Sequence, residues 1–407
     1  MMPRSARRTS TSPYRTALRL LPILPLVPIL AHAGEFKVLG PDALSLGGAG
    51  VARARGAYAA YYNPGALGFA PDIARVAVSA DAAFRDVGAG KHLDRLADLD
   101  WDEAVDDPLG SEAAAVIAEI LRIPNDAGLL LGPGGACAVQ VKSFGTGLFL
   151  TSEAASYASI DTTRTAQSPP SDPNSFANNE STLFLRGIAI AEVPFAYGHR
   201  LNLAKHGMLG LGAAIKLMYG ATYENAALVT EIEEITEDYE QFEEESYALG
   251  LDLGALYHLP ELPLAVGLVL RNVNAPEFDL HTGGTHTEEL QARAGLDWEL
   301  IPAILSLAAD LDVTENETVL RGYKSRMLGA GLDWHPVTWF AARLGLMYNL
   351  AAATGARNGP VVTGGLAFGF RKLHANIAAA AGLQEGEFDG QDYRSEMRVS
   401  AALGSYW

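Results

Sequence analysis

The 407-residue sequence has a single cysteine, Cys137, and nine histidines. One thiol cannot form an internal disulfide, and without a Cys-x-x-Cys pair the patterns of a thioredoxin-type redox site and a zinc ribbon are missing. The motifs G-x-S-x-G and H-E-x-x-H and the phosphate-binding P-loop are missing as well. We therefore expect no metal, no cofactor and no catalytic residue, and we expect the protein not to be an enzyme.

Basic residues are scarce, with 30 Lys and Arg against 48 Asp and Glu and a net charge of −18. Five of these arginines lie at the N-terminus, at Arg4, Arg7, Arg8, Arg15 and Arg19. Removal of that region would leave 25 basic residues against 48 acidic ones, a net charge of −23. Nucleic-acid binding needs a basic surface, so we expect no nucleic acid among the partners.

Long apolar runs are missing beyond the N-terminus. There, the basic region is followed by the run LRLLPILPLVPIL and by Ala31-His32-Ala33, an A-x-A cleavage pattern. The alternative is a membrane anchor, but a run of 13 residues with three prolines is shorter than the roughly 20 residues of a spanning helix. We predict a cleavable signal peptide over residues 1–33, and the missing cysteine at the cleavage point argues against a lipid anchor.

The chain does contain many segments in which apolar and polar residues alternate. In ARAGLDWELI, Leu296 and Trp298 alternate with Gly295, Asp297 and Glu299, which is typical of a strand with one apolar and one polar face. Fourteen segments of this kind follow residue 71. They are residues 73–85, 135–143, 147–161, 183–196, 207–223, 246–258, 263–272, 289–299, 303–313, 325–335, 339–349, 361–370, 373–383 and 394–407.

The connections between these segments alternate between short turns, such as 259–263 and 371–373, and long polar loops, such as 162–182 and 384–393. In an up-and-down barrel this places the long loops outside and the short turns at the periplasmic rim. A soluble β-sandwich would mix connection lengths at both ends. We therefore predict an all-β fold: a transmembrane up-and-down antiparallel β-barrel of about 14 strands over residues 71–407.

Aromatic residues near strand ends agree with a membrane location. They are Tyr257, Trp298, Trp334, Trp339, Tyr348 and Trp407. Amphipathic rings settle at the bilayer interface, so outer-membrane lipid is an expected partner. The closing strand ends on Trp407, which resembles the signal by which bacterial outer-membrane barrels are recognised. This resemblance implies the barrel assembly machinery as a second partner.

The stretch SLGGAGVARARGAYAAYYNPGAL, residues 45–67, precedes the first strand and is regular as neither helix nor strand. Glycine permits close approach of the backbone to neighbouring groups, and an Asn-Pro pair fixes a turn. Tyrosine has an apolar ring and a polar hydroxyl, which suits a partly hydrated barrel interior. We expect residues 34–70 to form a hatch in the barrel lumen, either an inert filling or a plug that gates a ligand. The candidate plug and ligand residues are Gly47, Gly48, Gly50, Tyr58, Tyr61, Tyr62, Asn63 and Pro64.

This stretch resembles the N-terminal motif of the superfamily that includes FadL-type fatty acid transporters, aromatic hydrocarbon transporters, PorV-like secretion barrels and TraF-like "conjugal transfer" proteins. The family pattern, Gly-Gly-x-Gly followed by Asn-Pro-Ala, is matched except that Gly65 replaces the alanine. The segment LGLDLGALYHLPELPLAVGLVLRNVNAPEF is most similar to the TraF-like branch. The resemblance implies a fourteen-stranded barrel with a lumen hatch, in the outer membrane of a Gram-negative bacterium.

The polar faces of the predicted strands carry charges that would point into the lumen. They are Asp252, Arg271, Arg293, Asp297, Asp310, Asp312, Asp333, Arg343, Arg371 and Arg398. We interpret them mainly as pairs that fill and rigidify the barrel, and we do not read Asp310 and Asp312 as a catalytic dyad.

Two insertions remain. Residues 91–123 contain GSEAAAVIAEILRI, which predicts an outer-loop helix capped by Ser111. The acidic run at 230–245 lacks a calcium-loop spacing and is interpreted as a solvated outer loop. The expected function is passage of hydrophobic small molecules through the plugged lumen; the alternative is a TraF-like or PorV-like component of a conjugation or secretion apparatus.

Overall fold

A computed structural model describes residues 33–71, 73–97, 99–124, 127–228, 242–351, 359–388 and 391–407. The predicted signal peptide lies almost entirely outside the described residues, as does most of the acidic run. No helix within the described residues is both long enough and apolar enough to cross a bilayer.

Fourteen antiparallel strands form one closed sheet, because the last strand pairs with the first from Arg75–Tyr406 to Arg85–Glu396. The strands are β1 (Ala74–Asp86), β2 (Gly128–Leu131 and Gly134–Val141), β3 (Phe144–Ser159), β4 (Thr182–Asn202), β5 (Met208–Leu228), β6 (Glu243–His258), β7 (Leu264–Arg271), β8 (Gln291–Ile301), β9 (Leu305–Asp312), β10 (Met327–Val337), β11 (Phe340–Asn349), β12 (Val361–Phe370), β13 (Leu373–Gly382) and β14 (Glu396–Tyr406). Each neighbour in the barrel is the next strand in the chain.

The prediction of an up-and-down barrel of 14 strands is confirmed, and each predicted segment coincides with one strand. Three boundaries differ by five residues or more. The second strand begins earlier, at Gly128, and is interrupted at Gly132 and Pro133. The fourth strand continues past residue 196 to Asn202, and the fifth past residue 223 to Leu228.

The connections alternate in length around the barrel. Six short turns, at 142–143, 203–207, 259–263, 302–304, 338–339 and 371–372, lie at the end where β1 begins and β14 ends. The seven connections at the opposite end, called here the long-loop end, each have 11 residues or more. Three of these carry short strand pairs, with strands at Glu277–Asp279, Thr285–Thr287, Asn316–Glu317, Lys324–Ser325, Glu385–Phe388 and Gln391–Arg394. A further strand, Ala33–Gly34, pairs in parallel with Asn316–Glu317.

The first long connection folds into three helices, Gly90–Ala97, Trp101–Asp106 and Ser111–Ile120. The predicted helix is present, but Ser111 is its first residue and not its cap, since Gly110 precedes it without a side-chain hydrogen bond. Val116 and Ile120 are buried in a small apolar cluster with Phe176 of the next long loop. This insertion therefore packs onto a neighbouring loop.

Burial alternates along each strand, as the sequence pattern predicts. In β9, Ser306, Ala308, Asp310 and Asp312 are buried, while the residues between them are partly exposed. On the outer surface, Ile215, Leu344 and Leu403 are examples of an exposed apolar belt. Of the six predicted interfacial residues, Tyr257 is only partly exposed. The other five are at least 40% exposed: Trp298, Trp334, Trp339, Tyr348 and Trp407.

Residues Gly34–Phe69, called here the N-terminal segment, contact interior side chains of strands all around the barrel. They include two short helices, Pro41–Ser45 and Ala59–Tyr62, and 3-10 turns at Gly56–Tyr58 and Pro64–Phe69. Hydrogen bonds join the segment to Asp81 of β1, Glu153 of β3, Asp310 of β9 and Thr363 of β12. Most of its apolar side chains are buried, so much of the apolar core lies inside the barrel.

The alternation of loop lengths makes a testable prediction about sidedness. An epitope inserted between Gly283 and Gly284, an exposed site with open space around it in a long connection, should bind antibody on intact cells. The same epitope inserted after Glu261, in the turn 259–263, should bind only after the outer membrane is permeabilised. Equal labelling of both insertions on intact cells would contradict the assigned orientation.

Candidate functional site

The glycines of the N-terminal segment lie where its backbone touches the barrel wall. Gly47 has φ of +71°, and a Cβ there would lie 2.4 Å from the carbonyl oxygen of Leu346. The amides of Gly50 and Val51 both donate to one carboxylate oxygen of Asp310, at 2.7 and 2.9 Å. Gly48 also has a positive φ, but its Cβ would meet only side chains. Backbone contact with β10 and β11 thus requires glycine at 47.

Asn63 and Pro64 form the turn that the sequence suggests. The Asn63 side-chain nitrogen donates to the carbonyls of Val51 and Ala255, at 2.9 and 3.0 Å, and its oxygen accepts from the amide of Gly65 at 2.9 Å. Asn63 is fully buried. One side chain therefore joins two parts of the segment to strand β6.

The tyrosines have different environments. Tyr61 and Tyr62 are buried; the Tyr61 hydroxyl donates to the Lys37 carbonyl at 2.9 Å, and the Tyr62 hydroxyl bonds with the backbone of Leu39. The Tyr61 ring stacks on Phe149 of β3 with centroids 5.2 Å apart. Tyr58 is half-buried and approaches the same phenylalanine edge-on. Tyr58 and Tyr61 therefore both pack against Phe149 of β3.

Most of the charges that the sequence pattern places in the lumen are buried. Asp252, Arg271, Arg293, Asp297, Asp310, Asp312 and Asp333 are all buried. Arg343 and Arg398 are partly buried and pair with Asp333 and Glu396. Arg371 lies in the short turn 371–372 with φ of +55° and is exposed, beside the Phe370 ring.

A buried network of four charges joins β4, β5, β6 and β7. Arg271 donates to both carboxylate oxygens of Glu192, at 2.9 and 2.7 Å, and Lys216 lies 3.2 Å from Glu192 and 3.0 Å from Asp252. Arg271 also stands over the Tyr61 ring at 4.2 Å. Glu192 and Lys216 are not among the lumen charges predicted from the sequence, although each occupies a polar position within an alternating strand.

Arginines connect the segment to the wall nearer the short turns. Arg53 donates to Asp297 at 3.0 Å and to Ser306 at 2.8 Å, and it also pairs with Asp333. Arg53 is not among the residues predicted from the sequence. It lies in the irregular stretch 45–67, where no strand alternation indicates which way a side chain points.

Residues of the segment line two cavities. The long-loop cavity, about 280 Å³, is lined by interior residues of β3 to β5 and by two long connections. The short-turn cavity, about 790 Å³, is lined by the segment together with the short-turn ends of β1, β8 and β10 to β14. In the long-loop cavity, burial alone would raise the pKa of Glu288, but the hydrogen bond and charge of His286 outweigh burial and lower it. This carboxyl therefore stays ionised below its ordinary titration range.

A third, smaller cavity lies where β2 is interrupted. Pro133 has no amide hydrogen, so it cannot donate to a neighbouring strand, and the regular pairing of β2 is interrupted between Leu131 and Gly134. Gly132 still exchanges two backbone hydrogen bonds with Ala83, and the Pro133 carbonyl accepts from the amide of Ser152. This wall cavity, about 60 Å³, is lined on the inside by Val38 and Leu44 of the N-terminal segment. Its lining also includes Leu131 and Val399, which are 53% and 56% exposed. Its lining therefore includes residues of both faces of the barrel wall.

Solved structures with the same fold are hydrocarbon channels by their names. The toluene transporter TodX of Pseudomonas putida has a TM-score of 0.51 and 14% identity, over 91% of this chain and 99% of that one. The toluene transporter TbuX of Ralstonia pickettii has a TM-score of 0.50 and 13% identity, over 90% and 97%. The monoaromatic hydrocarbon channel CymD has a TM-score of 0.52 and 12% identity, over 92% and 99%. At these identities the likeness establishes the barrel fold alone.

A search of curated proteins found no match. Residues 60–312, more than half of the chain, match the family described as "F plasmid transfer operon, TraF, protein". The matched region runs from the tyrosine-rich turn of the N-terminal segment through β9, and so includes the Asn63 turn, the buried charge network and the interrupted strand. The chain belongs to this TraF family and has the barrel fold of these channels.

Proposed function

We propose that the protein is an outer-membrane channel for small hydrophobic molecules, exported by the leader at residues 1–33 and closed by the N-terminal segment as a plug. The observation that carries the proposal is the wall cavity. A hydrophobic solute gains by leaving water for lipid, so a path through the barrel wall suits it better than a long aqueous pore. No catalytic step is part of this proposal.

The chemistry of the wall cavity fits such a solute. Leu39, Leu44 and Leu130 supply apolar surface on its inner side, and Leu131 and Phe84 supply it near the lipid-facing side. At about 60 Å³ the cavity is smaller than a hydrocarbon ligand, so passage requires the N-terminal segment or these side chains to shift. The contacts of Val38 and Leu44 make the segment a part of the gate.

The family match supports the second candidate, a component of a conjugation or secretion apparatus. In that case the well-anchored N-terminal segment is an inert filling that rigidifies a platform for partner proteins. The two candidates differ in one observable: a channel changes the permeability of the outer membrane, whereas a platform changes only the assembly of its partners.

Filling the wall cavity tests the channel. Ala83 faces inward at the interruption, where its Cβ lies 3.6 Å from the Cβ position of residue 132. We expect Ala83→Phe to reduce uptake of a radiolabelled monoaromatic hydrocarbon to that of cells without the protein. Ala80→Phe places the same ring on the exposed face of the same strand and should leave uptake unchanged.

The uptake assay also separates the candidates. Cells with and without the wild-type protein that take up hydrocarbon equally, while its loss reduces conjugation or secretion, would support the platform and overturn the channel. Folding of both variants is checked by the shift in electrophoretic mobility on heating, which is a property of the intact barrel.

A further inference from the structure

The start of the N-terminal segment is held at the long-loop end of the barrel. Ala33–Gly34 pairs in parallel with Asn316–Glu317 in the connection between β9 and β10. The Gly34 carbonyl accepts from the side-chain nitrogen of Gln291 at 2.6 Å. The next residue, Glu35, is buried and pairs with an arginine of β1. These contacts fix the position of Gly34.

Gly34 lies against the carboxylate of Glu288 in the long-loop cavity. A Cβ at residue 34 would lie 3.0 Å from Oε1 of Glu288 and 3.2 Å from Oε2. Both distances are unusually short for an aliphatic carbon, but they are normal for a hydrogen bond from nitrogen to oxygen. A nitrogen atom at this position would therefore donate to both oxygens of one carboxylate.

The partners of Glu288 in the described part of the chain compensate its charge only weakly. The side chain is 14% exposed, and it accepts from the Asn272 amide at 3.2 Å and lies 3.3 Å from the His286 ring. An amide is neutral, and an imidazole is charged only when it is protonated. No lysine or arginine within the described residues forms an ion pair with this carboxylate. A further cation would stabilise it.

Cleavage of the leader after Ala33 would supply the nitrogen and the charge. It converts the Gly34 nitrogen into an ammonium group with three N–H donors. In the uncleaved chain a peptide bond to Ala33 holds this nitrogen in place. Once it is free, a rotation of about 120° around the Gly34 Cα–C bond brings it to the position that a Cβ would occupy. This rotation leaves the Gly34 carbonyl on Gln291.

We propose that Glu288 binds the α-ammonium group of the mature N-terminus, Gly34, and that this ion pair fastens the N-terminal segment to the connection between β7 and β8. The proposal rests on the proposed leader cleavage and does not depend on what passes through the barrel. The contact forms only after the leader is removed, so processing of the leader and fixing of the segment are coupled.

The test is acetylation of the α-amine in the purified mature protein in detergent. The intact mass first establishes whether the chain begins at Gly34. N-hydroxysuccinimide acetate then reacts with unprotonated amines near neutral pH, and mass spectrometry gives the rate relative to the exposed Lys372. We expect the α-amine to react about tenfold more slowly in the wild type than in Glu288→Gln, because the carboxylate favours the charged amine.

Two further variants make the comparison specific. Glu277→Gln removes an exposed carboxylate from the same connection and should react like the wild type. One glycine inserted between Ala33 and Gly34 moves the ammonium group by one residue without changing the barrel. Its α-amine should react as fast as that of Glu288→Gln. If Glu288→Gln fails to fold, this insertion carries the decision.

Equal rates in the wild type and Glu288→Gln would show that burial alone protects the amine, and would overturn the ion pair. Slow reaction of the glycine-insertion variant would also overturn it, as would a mature chain that begins at a residue other than Gly34. Hydrocarbon uptake is measured separately. Failure of the ion pair is therefore distinguishable from failure of the proposed channel.

Discussion

Replacing Gly47 by valine is expected to open the lumen, raising single-channel conductance in planar bilayers from a closed level to that of an unplugged barrel. Two effects act together. A non-glycine residue at φ of +71° is disfavoured by about 1–2 kcal/mol, and a Cβ would lie 2.4 Å from the Leu346 carbonyl and 2.7 Å from that of Ala330. Those atoms belong to paired strands, so the segment must move away from them.

Gly283→Val is the matched control for backbone strain. Its φ of +83° is similar, but no atom lies within 4 Å of its Cβ position. We expect a barrel with wild-type conductance. If Gly47→Val folds and also conducts like the wild type, the N-terminal segment does not close the lumen. If its conductance is unchanged while a partner interaction is lost, the platform function is favoured.

The barrel could be predicted from the sequence because its rule is local. A residue in a strand faces lipid or lumen according to its parity, so Leu296, Trp298 and Asp297 revealed their faces without knowledge of any partner. Loop length carried independent information about which end was which. Boundaries were less certain: the residues before Gly134 were not assigned, although Gly-Pro-Gly-Gly at 132–135 is a pattern that interrupts strands.

The interior contacts could not be predicted in the same way, because they depend on which strands meet across the lumen. Asp310 was selected as a lumen charge, but nothing local to it indicates that it accepts from the amides of Gly50 and Val51, about 260 residues away. Arg371 shows that the alternation rule fails where a strand ends. Its position in the alternation predicts a side chain in the lumen, but the strand ends at Phe370 and the side chain is exposed in the turn.

The last test compares the loss of stability when a buried arginine, Arg271, and an exposed arginine, Arg371, are each replaced by methionine. Arg271→Met is expected to lower the free energy of unfolding by about 3–5 kcal/mol. The reason is that the buried Glu192 carboxylate loses the guanidinium that donates to both of its oxygens. Arg371→Met makes the same change on an exposed side chain and should unfold close to the wild type. Urea titration monitored by tryptophan fluorescence in detergent measures both.

A second substitution shows whether the loss is electrostatic. Glu192, Lys216, Asp252 and Arg271 together carry no net charge, so removing Arg271 alone leaves a buried excess of one negative charge. Adding Glu192→Gln restores neutrality and leaves Lys216 paired with Asp252 at 3.0 Å. We expect the double variant to recover part of the lost stability. A double variant less stable than Arg271→Met would show instead that packing of the arginine over Tyr61, at 4.2 Å, carries the effect.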